Sequence, residues 1–237
     1  MSWKYTDMKR SPTILLCLAT ALSMWSASVK CEGTGRIFVS NEMDNTVSVI
    51  DGDSYEVIKT IPVGERPRDM QWHANKSRLL IATSGSDHIE ILDVDTLEIV
   101  GTIEAGEDPE LFDLDPSGTI LVASNEDDNE LTVSNASTGE KIRTVENVGI
   151  EPEGITFRND GKIVFVTSEV TNTVIIVDPW SGEILDEVLV GNRPRRGIVT
   201  PDDKEYWVTN ELGGTVSILD AQTFEVLDEI IFEKRGM

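Results

Sequence analysis

Residues 79–119 read LLIATSGSDHIEILDVDTLEIVGTIEAGEDPELFDLDPSGT. Leu79–Thr83 is an apolar run and Ser84–Asp87 a polar loop. His88–Leu92 then alternates so that Ile89 and Ile91 share one side, the period-two mark of a half-buried strand. Asp93-Val-Asp-Thr makes a turn ahead of a third strand, Glu98–Glu104. Gly106-x-x-Pro109 leads into a short fourth strand, Leu111–Leu114, before Asp115-Pro116-Ser117-Gly118. Short strands parted by Gly, Pro, Asn and Asp at regular intervals read as all-β.

The same text recurs roughly every 42 residues. Asn41, Ser84, Asn125, Ser168 and Asn210 align, as do Asp51, Asp93, Asn135, Asp178 and Asp220. Gly64, Gly106, Gly149 and Gly191 align as well, each followed three residues later by Pro67, Pro109, Pro152 or Pro194. Repeats of this period mean an array or a propeller, and four antiparallel strands per copy match a propeller blade. Five copies are expected, near 36–78, 79–119, 120–162, 163–204 and 205–237. Each aligned Asp or Asn precedes a Ser or Thr by three positions, so its side chain can accept backbone N–H groups and favour a tight reversal. That turn role, rather than a metal or catalytic array, explains why the residue appears in every copy.

The anchors resemble the YVTN-type β-propeller repeat family. Phe38-Val39-Ser40-Asn41, Leu121-Val122-Ala123-Ser124-Asn125 and Trp207-Val208-Thr209-Asn210 stand for its Tyr-Val-Thr-Asn signature. Thr46-Val-Ser-Val-Ile-Asp51 and Thr215-Val-Ser-Ile-Leu-Asp220 stand for its next strand, and Gly64-x-x-Pro67 for its linking turn. The likeness covers residues 36–237; the second and fourth copies depart from it with Ser84 and Ser168, and the third with Asn135. Within the family, the opening Val39-Ser40-Asn41-Glu42 looks like exported propellers found beside bacterial quinoprotein alcohol-oxidation systems. Such propellers generally have seven or more blades. The first copy supplies only three strands, and no inner strand follows Phe232 to complete it, so an incomplete, C-terminally truncated ring is expected. A ring completed by a second chain and a closed five-blade ring are the alternatives.

Composition narrows the function. Lys4, Lys9 and Arg10 precede the mostly apolar Thr13–Trp25, with Ser26 and Ser28 suited to a signal-peptidase site. Residues 1–28 therefore read as an export signal, 29–35 as a short linker, and the location as periplasmic or secreted; an uncleaved membrane anchor is the alternative. The net charge of −23 argues against nucleic acid and anionic membrane surfaces. Of the two cysteines, only Cys31 lies beyond the signal, and no spacing suits haem, zinc or redox work. No cofactor and no metal are expected.

In an antiparallel blade, the loops after Asn41 and its equivalents share a face with the Gly-x-x-Pro turns. Arg66, Arg68, Arg193, Arg195 and Arg196 flank the first and fourth prolines there, where the second and third copies carry Asp108, Glu110, Glu151 and Glu153. Guanidinium forks recognise carboxylate or phosphate, so these five arginines are the candidate ligand or partner site. Pairing with the neighbouring carboxylates is the bland alternative. Glu42, Glu126, Glu169 and Glu211 are expected to form a solvated acidic rim, and Trp72, Trp180 and Trp207 to pack between blades. No catalytic residues are assigned. His73 and His88, the only histidines, fall at opposite faces, and no nucleophile motif is present. The expected function is a non-catalytic exported propeller that binds a protein partner or a small anion. A lactonase-like hydrolase is the alternative.

Overall fold

The computed structural model describes residues 34–73 and 76–232. The leader read over residues 1–28 and most of the 29–35 linker lie outside the described residues. Among the described residues, no helix is long and apolar enough to cross a membrane.

Nineteen strands build five antiparallel sheets. The first sheet holds β1 (Arg36–Asn41), β2 (Thr46–Asp51) and β3 (Val57–Pro62). The second holds β4 (Pro67–Trp72), β5 (Arg78–Thr83), β6 (His88–Asp93) and β7 (Glu98–Glu104). In the third stand β8 (Pro109–Leu114), β9 (Ile120–Asn125), β10 (Glu130–Asn135) and β11 (Lys141–Glu146). The fourth has β12 (Pro152–Phe157), β13 (Val164–Ser168), β14 (Thr173–Asp178) and β15 (Glu183–Leu189). The fifth ends with β16 (Pro194–Val199), β17 (Glu205–Asn210), β18 (Thr215–Asp220) and β19 (Val226–Ile231). Within each sheet sequential strands are neighbours, the meander of a propeller blade.

Packing between blades follows from the two faces of each strand. Leu121 and Ala123 on β9 join Leu80, Ala82 and Phe112 between the second and third blades, whereas Ile120 and Val122 turn the other way onto Val164, Val166 and Ile175 of the fourth. A blade with neighbours on both sides buries both faces, which is why β9 and β13 are buried throughout while β1 alternates. Phe165 stacks on Tyr206 across the fourth and fifth blades, with ring centroids 4.3 Å apart. Inner strands follow one another in order, β4 on β8, β8 on β12 and β12 on β16. Among the described residues the blades form an open series, in which β1 keeps a free inner edge.

The turn residues act as the sequence suggests. Asp51, Asp93, Asn135, Asp178 and Asp220 each accept the N–H of the Ser or Thr three positions on, at 2.8–3.3 Å. Those backbone and hydroxyl donors hold the Asp51 and Asp93 carboxyls below the usual carboxylate range. The next residue is left-handed in every copy: Tyr55, Leu97, Gly139, Gly182 and Phe224.

Alignment of the anchor needs one correction. Thr83, not Ser84, ends β5 and pairs with His88, as Asn41 pairs with Thr46 and Asn125 with Glu130. Two adjacent hydroxyl residues hide the register in the sequence. Of the tryptophans, the half-exposed Trp72 meets Phe38 of the first blade edge-on, a contact between blades, whereas the half-exposed Trp180 donates its indole N–H to Gly161 O of its own blade at 2.8 Å.

The left-handed turn position yields a test. Tyr55 is exposed with φ 59°, so Tyr55→Gly relieves backbone strain and should leave stability unchanged or raise it by up to about 1 kcal/mol. Gly139→Ala should instead destabilise by more than about 1 kcal/mol. Its Cβ would stand 2.5 Å from Thr102 O. Urea unfolding of the two variants measures both.

Candidate functional site

The mouth of the channel is built at the crossovers between blades. The residue before each crossover proline (Arg66, Asp108, Glu151 or Arg193) is left-handed, with φ between 42° and 58°. That conformation is strained for any residue with a Cβ. Each is held by one partner. The N–H groups of Arg66, Asp108, Glu151 and Arg193 are accepted by Asn45, Asp87, Asn129 and Asn172, at 3.0, 3.1, 2.9 and 2.8 Å. These acceptors close the loop of the preceding blade and are left-handed too. The glycine that opens each crossover permits the approach: a Cβ on Gly106, at φ 76°, would meet Asn125 Nδ2 at 2.6 Å.

A second set of bonds fixes the residue after each proline. Ser40 donates to Arg68 O at 3.4 Å, Ser124 to Glu153 O at 2.7 Å and Thr167 to Arg195 O at 2.7 Å, each reaching from one blade to the next. Ala82 occupies the equivalent place in the second blade and has no hydroxyl to offer. Arg68, Glu110, Glu153 and Arg195 therefore take matching positions around the channel, where the regular ladder between inner and second strands is interrupted.

Each of the five candidate arginines is paired, but only Arg68, Arg195 and Arg196 line one cavity, while Arg193 lines a separate groove and Arg66 lines neither. Arg68 Nε lies 2.6 Å from Glu110, and Arg195 bonds Glu153; both carboxylates are buried. Arg193 Nε lies 2.6 Å from the buried Glu169, which Arg195 also approaches at 3.3 Å. Arg66 reaches Asp108 at 3.3 Å and Glu110 at 3.6 Å. Arg196 spans from the fifth blade to the second, meeting Asp69 at 2.7 Å. The solvated rim holds for only part of its set. Glu169 is buried, because two guanidinium groups compensate its charge, whereas Glu42 and Glu211 stay half-exposed at 3.3–3.7 Å from the arginines.

Arg68, Arg195 and Arg196 line a cavity of about 490 Å³, together with Ser40, Glu42, Glu153 and Thr209. Beside it the carboxylates crowd. Carboxylate oxygens of Asp108, Glu110 and Glu126 lie within 4.8 Å of one another, and the guanidinium groups of Arg66 and Arg68 are already on the first two. Burial pushes the Glu110 carboxyl up to about 8 against the opposing pull of Arg68, with Glu153, Glu126 and Asp108 adding to the rise. Burial likewise raises Asp113 to about 6, opposed by the Phe157 and Leu114 N–H groups. Near neutral pH Glu110 therefore carries its proton for much of the time.

A family model described as lactonase, 7-bladed beta-propeller, matches residues 35–154, and one described as cytochrome D1 heme domain matches residues 117–235. The chain belongs to the β-propeller family. Among solved structures, the propeller is similar to a chain of Kuenenia stuttgartiensis hydrazine synthase, at 19% identity and a TM-score of 0.70. That match covers 81% of this chain and 61% of the other chain, and it speaks for the fold alone. Comparison with curated proteins found no match.

A haem of the second family does not fit the residues at the mouth. Neither His73 nor His88 lines the cavity, so among the described residues no imidazole stands ready to ligate iron there. His88 instead engages Ser86 O at 2.5 Å and faces Glu90 at 3.8 Å. What sequence reasoning missed is the clamp set, Asn45, Asp87, Asn129 and Asn172. Its signal was present, an Asn or Asp just ahead of the third strand position in four copies. The Asp69–Arg196 pair had none, since 127 residues separate its members.

Glu110 supplies a pH test. Its pKa rises on folding, so the stability it contributes is full below its unfolded value near 4.5 and is lost as pH rises through about 8. The melting temperature of the wild type should fall between pH 5 and pH 8.5, and Glu110→Gln should flatten that fall. Thr167→Val, which strands Gly154 N and Arg195 O, should cost about 1–3 kcal/mol in urea unfolding.

Proposed function

We propose that this propeller is a non-catalytic binding protein whose channel mouth takes a small molecule bearing more than one carboxylate. The cavity of about 490 Å³ carries the reading, because three of its lining residues are arginines in a chain of net charge −23. Pairing does not disqualify those arginines. Arg68 has the buried Glu110 in close contact and Arg195 the buried Glu153 and Glu169, and each has one half-exposed partner at 3.5–3.6 Å, Glu42 or Glu211. Exposed pairs at such distances contribute about 0–1 kcal/mol. A ligand carboxylate replaces the outer partner while the buried one keeps the guanidinium aimed, and bidentate geometry favours the exchange. Ser40 and Thr209 add hydroxyl groups to the lining. An accessory role beside an exported quinoprotein oxidation system, implied by the repeat likeness, fits a binding protein of this kind.

A lactonase-like hydrolase is the second reading, favoured by the family model over residues 35–154 and by a Glu110 carboxyl poised to donate a proton near neutrality. It requires hydrolysis of a simple lactone, dihydrocoumarin, above the buffer rate and loss of that rate in Glu110→Gln.

Calorimetric titration with succinate and tricarballylate tests the binding reading. Arg196→Gln should weaken binding by about tenfold or more when measured well below its melting point, which falls because the buried Asp69 loses its cation. Glu42→Gln should tighten it by removing the competing carboxylate. Equal affinity in all three proteins would reject the site.

A further inference from the structure

Repeats make deviations informative. At the tip of the loop joining the second and third strand positions of each blade stand Met43, Gly85, Asp127, Val170 and Leu212. Two residues before each crossover proline stand Glu65, Glu107, Ile150 and Asn192. Gly85 in the second blade and Asp127 in the third show that the fold accepts a tip without an apolar side chain, so nothing in blade construction demands one. Around the fourth and fifth blades the places nevertheless hold Ile150, Val170 and Leu212, with 50%, 52% and 62% of their surface exposed.

These three are not scattered. Val170 and Leu212 face each other across a groove of about 300 Å³ that Asn172, Asn192, Arg193, Glu151 and Glu169 complete. Ile150 adjoins its wall, since Val170 N donates to Ile150 O at 3.3 Å. Backbone bonds hold both tips rigidly. Glu169 N donates to Glu151 O at 3.0 Å, Glu211 N to Arg193 O at 2.8 Å and Gly213 N to Asn192 O at 3.0 Å. Exposed apolar side chains on a pre-ordered frame lose little entropy when covered.

Charge selects what covers them. Arg193, the one cation among the described residues that line the groove, is already neutralised by Glu169 at 2.6 Å and Glu211 at 3.3 Å. Glu151 and the half-exposed Glu211 leave the rim negative, as is the chain as a whole. We infer that the groove between Val170 and Leu212 docks a polypeptide partner that presents an apolar side chain flanked by lysine or arginine. Apolar anchors in a pre-formed pocket, ringed by complementary charge, give both affinity and orientation. This surface shares no lining residue with the arginine cavity, and although Glu169 and Glu211 pair with both Arg193 and Arg195, the apolar pair Val170 and Leu212 belongs to the groove alone.

A fluorescein-labelled peptide of alternating lysine and leucine probes the groove by fluorescence anisotropy, with alternating lysine–serine and glutamate–leucine peptides as controls. The lysine–leucine peptide should bind, the controls more weakly. Val170→Ser with Leu212→Ser should weaken binding by about tenfold or more, while succinate titration of the same variant stays as in the wild type. Leu212→Ala alone should give a smaller loss in the same direction. Absence of binding to the wild type, equal binding by the double variant, or equal binding of the lysine–serine peptide would each overturn the inference.

Discussion

Everything at the channel mouth depends on a left-handed residue placed directly before a proline and held there by the neighbouring blade. A non-glycine residue in that conformation costs on the order of 1–2 kcal/mol. Repeating the feature at Arg66, Asp108, Glu151 and Arg193 is affordable only because Asn45, Asp87, Asn129 and Asn172 each accept the strained residue's N–H. The arrangement makes each blade the template for the next crossover. It also delivers charged side chains to the channel from backbone rather than from flexible loop tips, and strain of this kind gathers where side chains must be aimed.

From that frame the electrostatics follow. Two arginine groups, on the second and fifth blades, are each seated on buried carboxylates and loosely covered by half-exposed ones. Truncating a buried pair on one side normally leaves a costly unpaired charge. Glu110 escapes that penalty by taking up a proton, as its carboxyl already sits at about 8. At Glu110 the mouth thus tolerates changes in its cations, because the charge of that buried acid adjusts to what lies beside it.

Much of this was legible in the sequence. The strands, the Asx turns and the meander within each blade follow from period-two alternation and from Asp or Asn three positions before Ser or Thr. The five arginines were placed on one face because crossover turns and second-strand loops must share it. Partnerships were not legible. Glu169 looks like any loop acid until Arg193 and Arg195 close over it, and Arg196 finds Asp69 only because two distant blades face one channel. The one-residue slip at Ser84 came from chemistry that Thr83 shares, and only the pairing of Thr83 with His88 resolves it. Ile150, Val170 and Leu212 passed unnoticed for a related reason, since single exposed apolar residues are ordinary until they prove to be neighbours.

The direct test of a poised arginine mouth is the side-chain Nε–Hε spectrum of the folded, isotopically labelled protein during addition of tricarballylate. Resonances of Arg68, Arg195 and Arg196 should shift together and saturably, while those of Arg36, Arg78, Arg143 and Arg158 remain in place. Small, uniform and non-saturating shifts across all the arginines would contradict the account.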